Sequence, residues 1–292
     1  MVIMGTFFVR TPPNCSTGPC VTSPLSTPGR TAELILMTTV SASSRKLAIS
    51  SRPALRTKQP APAQRLRAMH DLLAAAYGPQ SWWPAQTPFE VIVGAYLTQN
   101  TAWKAVERSL ANLREAGTLS MEGLLRIPVT ELQELIRPSG FYTRKAPALK
   151  AFVAMLYQEF EGSIKVLAAQ PTAALRRRLL ALPGVGPETA DAILLYALGH
   201  AVPVADEYLR RIAERHLLVQ PAPRKDRSGY QSLVQLTRQA FSSEMADGHA
   251  QFFNEFHALT VAVGKAHCGR IARCEGCPLA TDLQHAGRVR AK

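Results

Sequence analysis

The segment Leu182-Pro-Gly-Val-Gly-Pro-Glu-Thr-Ala190 leaves the chain few ways to fold. A Gly-x-Gly pair followed by Pro187, which suits the first position of a helix, predicts a tight turn that opens straight into a helix. The preceding Leu175-Arg-Arg-Arg-Leu-Leu180 spaces its apolar residues helically, so the unit reads helix, glycine hairpin, helix. A helix start of this kind leaves main-chain N–H groups without partners and adds the positive end of the helix dipole. Both attract an anion such as a phosphate, without sequence preference. A Gly-x-Gly pair alone is equally an ordinary turn between helices. Eighteen residues past Glu188, Asp206 stands in Val-Pro-Val-Ala-Asp-Glu-Tyr208, at the expected N-cap of the next helix. One helix intervenes, so its carboxylate returns beside the hairpin. Capping by itself explains an aspartate here, and it is compatible with chemistry, because the dipole favours an ionised and oriented carboxylate.

The remaining pattern is helical almost throughout. Leu66, Met69, Leu72, Leu73 and Ala76 form one apolar stripe, and Phe89 to Leu97 is apolar nearly all round, as a buried central helix would be. Trp103, Val106, Leu110 and Leu113 line one face of a charged helix. Further helices are expected over 131–136, 142–160, 173–181, 187–198, 207–218, 230–242 and 249–264, with Pro138-Ser139-Gly140 and Gly199 as stops. No segment alternates as a half-buried strand does. The expectation is an all-α protein of two lobes: 88–200 forms a barrel-like lobe with the hairpin, and 64–87 plus 203–266 forms the second. A cysteine cluster follows at 267–285. Residues 1–63 are rich in Ser, Thr, Pro and Arg and lack any period, so they are expected to be a disordered basic extension, or to follow from a start placed too early.

Charge narrows the partners. The chain carries 34 Lys and Arg against 21 Asp and Glu, a formal +13. Seven bases and one acid in residues 1–63 supply +6, which leaves +7 on residues 64–292. A basic folded region favours a polyanion, though basic proteins that bind no nucleic acid are common. No apolar run is long enough to span a membrane. The five cysteines resemble no disulfide framework, since Cys15 and Cys20 lie in the polar tract while Cys268, Cys274 and Cys277 crowd together. A reducing, cytoplasmic, nucleoid-associated setting and a monomer are expected.

Taken together, the hairpin, Asp206, the central Leu97-Thr-Gln-Asn100 and the terminal cysteines resemble the endonuclease III superfamily, the helix-hairpin-helix DNA glycosylases of base-excision repair. The resemblance covers roughly 64–285. It implies a bilobal all-α fold that turns a damaged nucleotide of double-stranded DNA into the cleft between lobes. It makes Asp206 the catalytic carboxylate, which stabilises positive charge on the deoxyribose and helps the incoming water. Gly184, Val185, Gly186 and Thr189 then hold the DNA backbone, and Gln99 fills or probes the gap in the duplex, or simply satisfies a helix end.

Two positions depart from the family. Bifunctional members carry a Schiff-base lysine where this chain has Glu188, and a carboxylate cannot be that nucleophile. The resemblance therefore implies a monofunctional glycosylase. A bifunctional enzyme using another amine and an inactive DNA-binding homologue are the alternatives. The family's Cys-x6-Cys-x2-Cys-x5-Cys ligands of a [4Fe–4S] cluster are here Cys268, Cys274 and Cys277, with Leu283 in the fourth place. A cluster would need a non-standard or missing fourth ligand, His285 or more remotely His267; a degenerate cluster and zinc are the other readings. No organic cofactor is implied. Trp82-Trp83-Pro84, Leu97 to Trp103 and Arg137-Pro-Ser-Gly-Phe-Tyr142 look like the branch that removes 3-methyladenine, which also carries Glu at the lysine position. Trp103 and one of Trp82 or Trp83, with Glu188, would then form a pocket in which aromatic faces select a cationic base. Equally, these tryptophans anchor helices in the core.

Overall fold

The computed structural model describes residues 60–80, 87–223 and 227–285, apart from the side chains of Arg227, Gln284 and His285. The tract through residue 59, expected to lie outside the fold, falls outside the described residues, as do Trp82 and Trp83. The described chain is helical and holds no strand, with one isolated bridge between Cys268 and Ala272. No helix of it is long and apolar enough to cross a membrane.

The helices in chain order are α1 (Pro62–Tyr77), α2 (Pro88–Leu97), α3 (Trp103–Glu115), α4 (Met121–Arg126), α5 (Val129–Leu135), α6 (Tyr142–Phe160) and α7 (Ile164–Ala168). They continue as α8 (Thr172–Leu180), α9 (Pro187–Ala192), α10 (Glu207–Arg215), α11 (Arg227–Ala240), α12 (Ser242–Ala246), α13 (Ala250–Ala266) and α14 (Asp282–His285). A 3-10 turn, Arg137–Ser139, precedes α6, and a π-helical turn, Ile193–Ala197, prolongs α9. The short helices α4, α7 and α12 carry too few turns for their periodicity to show in the sequence. Leu72, expected on the buried stripe of α1, is exposed, so that stripe is narrower than its apolar residues suggest.

Helix α2 is the central element, as expected. Thr87 caps it by accepting from the Glu90 amide, Pro88 takes the first position, and Phe89 through Leu97 are all buried. It packs against α3, α6, α9 and the π-helical turn. Its one buried carboxylate, Glu90, accepts from Arg114 at 2.7 Å. Tyr96 meets Phe152 of α6 edge-on, with ring centroids 6.1 Å apart.

A second group of helices comprises α1, α10, α11 and α13. Phe241, Phe252 and Phe256 pack there, with Phe241 4.9 Å from each of the other two rings. Helix α13 approaches α10 closely at Gly264, where an added Cβ would fall 2.2 Å from the Tyr208 ring. Only glycine allows that contact, and it fixes the start of α10 against α13. The π-helical turn touches both α2 and α13, so it ties the two groups together. One continuous apolar cluster runs through both.

Candidate active site

The hairpin folds as its sequence suggests. Gly184 adopts φ +73°, which favours glycine, and its missing Cβ would sit 3.4 Å from Ala148. Gly186 caps α9 and Pro187 occupies its first position. Among the described residues, the amide groups of Gly184, Gly186 and Glu188 meet no backbone acceptor. Val185 turns its side chain into the core, so only its main chain is available to a ligand.

Gln99 joins this hairpin. Its side-chain amide donates to the Gly184 carbonyl and to the Thr189 hydroxyl, 3.0 Å each. Gln99, far away in sequence, therefore touches two of the hairpin residues singled out for the DNA interface. The turn that carries Gln99 is held by Lys145, only 4% exposed, which donates to Leu97 O, Thr101 Oγ1 and Ser139 O at 2.7–2.8 Å. Burial pulls the Lys145 amine down to about 8. Asn100 on one linked turn and Phe141 on the other both adopt positive φ, +53° and +50°. Phe141 is 58% exposed, an apolar side chain standing free beside the Gln99 turn. No local pattern marks Lys145 as buried, whereas Phe141, a large apolar residue directly after the glycine stop, stands out within Arg137–Tyr142.

Asp206 caps α10, accepting the Leu209 amide at Oδ1, 2.8 Å. It is 3% exposed, and Oδ2 accepts no hydrogen bond from any described residue. His257 Nε2 lies 3.5 Å from that oxygen. Asp206 and Glu188 line one cavity of about 150 Å³ with Glu207, Arg210 and Tyr230. Glu188 is half-buried there; loss of hydration, and next the Asp206 carboxylate, push it up to about 8. It therefore presents a neutral carboxyl group at neutral pH. Behind α9, Asp191 accepts a bidentate pair from Arg176, at 2.6 and 2.9 Å, and the Tyr230 hydroxyl at 2.7 Å. Arg178 pairs with Glu159. Two members of the arginine run are thus spent on internal ion pairs.

Trp103 is 4% exposed and packs in the apolar core with Val106, Leu110 and Leu113, and it does not line the Asp206 cavity. Its helical register explains this, since all four residues share one face of α3. Trp82 and Trp83, the other two pocket candidates, lie outside the described residues.

Cys268, Cys274 and Cys277 line a second cavity of about 280 Å³ with Arg215, His216, His267 and Leu283. All three are free thiols. Their chemistry suits a soft metal, but the set falls one short of a four-thiolate cubane, because the fourth place belongs to the apolar, buried Leu283. Among the described residues no three donors stand close enough to hold a metal ion. Arg215 donates to Cys268 Sγ at 3.0 Å, and His267 Nδ1 bonds to the Arg273 carbonyl. The His285 side chain is outside those described. The residues present therefore do not fit a complete cluster. The loop is anchored by protein contacts instead: Arg65 donates twice to Asp282, at 2.5 and 2.8 Å, and His216 Nδ1 bonds to the same carboxylate at 2.8 Å.

Comparison with known proteins identifies the family. Residues 93–235 match the HhH-GPD superfamily base excision DNA repair protein. A protein of Methanocaldococcus jannaschii named as a candidate DNA repair glycosylase is 37% identical over 72% of this chain and 92% of its own length. The endonuclease III-like protein 1 of Mus musculus is 27% identical over 78% of the chain and 70% of its own. Among solved structures, the 3-methyladenine DNA glycosylase of H. pylori, bound to 1,N6-ethenoadenine, superposes with a TM-score of 0.59 at 29% identity, covering 71% of this chain and 98% of that one.

Proposed function

We propose a monofunctional base-release reaction for this chain, which belongs to the HhH-GPD superfamily of base excision DNA repair proteins and acts on DNA as a glycosylase. The substrate is a damaged, alkylated base in double-stranded DNA, bound by a monomer in a cytoplasmic, nucleoid-associated setting. One observation carries the reading: Asp206 holds a buried carboxylate oxygen without a hydrogen bond at a cavity beside the hairpin.

The amides of Gly184, Gly186 and Glu188 grip a phosphate. Phe141 and Gln99 approach the duplex from two linked turns, the aromatic as an apolar wedge and the amide as a hydrogen-bonding probe. The turned-out nucleoside enters the cavity with its sugar against Asp206. The C1′–N bond breaks and its electron pair leaves with the base; the oxygen of water bonds to C1′ and gives up a proton. The Asp206 carboxylate stabilises the positive charge that develops between these events. A base already cationic through alkylation leaves readily and needs little acid help. Similarity to the 3-methyladenine glycosylase supports this substrate class.

Glu188 has no amine, so no Schiff base forms there. Lys265 of α13 favours a second reading, with a lyase step: burial pulls its amine down, opposed by the charge of Asp206. Borohydride trapping on abasic DNA separates the two, because only a Schiff-base enzyme becomes attached to the strand. The monofunctional reading expects no trapped complex. No step above passes through a metal, and the three-cysteine cavity is proposed to stand on its own contacts. An ultraviolet–visible spectrum with iron and sulfide assays tests this; a stoichiometric cluster would overturn it.

A further inference from the structure

Beside Asp206, the structure places a buried histidine and a partly buried tyrosine that the reaction above does not use. We propose that Tyr196 and His257 form a relay that positions the Asp206 carboxylate, the phenol fixing which imidazole nitrogen carries hydrogen and that nitrogen facing Oδ2. This rests on reading Asp206 as the catalytic carboxylate.

Three elements meet at this point. Tyr196 sits in the π-helical turn after α9, and such turns re-aim side chains at functional sites. Its hydroxyl bonds to Nδ1 of His257, which is buried on α13. Nε2 of the same ring lies 3.5 Å from Asp206 Oδ2, the oxygen that accepts no hydrogen bond. Oδ1 is already occupied by the Leu209 amide. Burial, and then the charges of Asp206 and Glu255, raise the Tyr196 hydroxyl well above its ordinary range, so it keeps the proton it can donate. In the proposed relay that proton goes to Nδ1, and the ring then carries its own hydrogen on Nε2, which points at Asp206. Hydrogen bonds of this kind are often long before substrate arrives and tighten in the complex. The other titratable groups around the relay are Glu188 of α9, Glu207 and Tyr208 of α10, and Glu255 and Lys265 of α13.

The full chain labelled with 15N-histidine provides the first test, without need of substrate. His257 is expected as the Nε2–H tautomer in wild type and as a mixture in Tyr196→Phe. An Nδ1–H tautomer in wild type overturns the relay. The second test is single-turnover base release from duplex DNA methylated with dimethyl sulfate. His257→Leu should slow release roughly ten- to a hundred-fold and move the acid side of the rate profile to higher pH. DNA affinity should stay unchanged. His257→Gln, whose amide supplies an N–H where Nε2 was, should recover most of both; a merely structural histidine would show neither the pH shift nor the rescue. If Asp206→Asn releases base like wild type, the reading of the site fails. If Asp206→Asn is inactive while His257→Leu matches wild type in rate and profile, the relay alone fails.

Discussion

Gln99 donates its side-chain amide to the main-chain carbonyl of Gly184, 3.0 Å away and 85 residues along the chain. The turn that closes the central helix is thereby latched to the hairpin, with the Thr189 hydroxyl as a second point of attachment. Replacing Gln99 by Ala removes both bonds and the probe for the duplex. Binding to a duplex with an abasic analogue should weaken about ten-fold, equivalent to roughly 1.4 kcal/mol, with the melting temperature little changed. A titration monitored by fluorescence anisotropy measures this, and undiminished affinity would remove Gln99 from the interface.

Glu188 is held at about 8, well above the 4.5 of an ordinary glutamate, first by lost hydration and next by Asp206. A carboxyl group raised by folding contributes its stability below the ordinary value and loses it as pH climbs through the raised one. Wild type and Glu188→Gln should therefore melt alike near pH 4.5, while at about pH 8 and above the glutamine variant melts higher. Thermal denaturation across that window decides, and parallel curves would show that folding leaves the titration of Glu188 unshifted.

The Asp282 carboxylate behaves in the opposite sense. Burial alone would raise it, but the hydrogen bonds from His216 and Arg65 and the charge of Arg65 outweigh this and hold it down to about 2, from 3.8. A depressed carboxyl contributes stability above its ordinary value and loses it as pH falls toward the depressed one. That shift corresponds to about 2 kcal/mol. Asp282→Ala leaves Arg65 and His216 facing a gap and should cost about 3 kcal/mol at pH 7, read from urea unfolding. The difference from wild type should shrink on acidification toward pH 2.

Gly264 lets α13 lie against Tyr208, two residues past Asp206. Gly264→Ala puts a methyl group into the root of that ring rather than its tip, so α10 must shift. The expected loss is about 1–3 kcal/mol together with slower base release, as Asp206 moves with the start of its helix. A variant that is destabilised yet fully active would show that the approach serves packing only.

Much of the fold was legible because it rests on periodicity. The all-round apolar run Phe89–Leu97 became the buried α2, and Pro187 and Asp206 took the helix-start positions that their residue types favour. Short helices such as α4 left no signal, and the expected helix 187–198 changes its hydrogen-bonding pattern after Ala192, the π-helical turn beginning at Ile193. That turn aims Tyr196 at His257, a pairing across 61 residues that no local pattern encodes. The Lys145 clip was hidden for the same reason: a lysine in a helix reads as a solvated charge until three carbonyl and hydroxyl oxygens converge on it. Trp103 was open to either role from its spacing, and its side chain lies in the core.

The most direct measurement is base release from dimethyl sulfate-methylated duplex DNA by wild type and by Asp206→Asn, which keeps a capping side chain. Wild type should liberate free methylated base and leave an unbroken abasic strand. The asparagine variant should bind the same DNA with similar affinity and release base roughly a hundred- to a thousand-fold more slowly. Equal release by the two proteins, or strand cleavage accompanying release by wild type, would contradict a hydrolytic site built on Asp206.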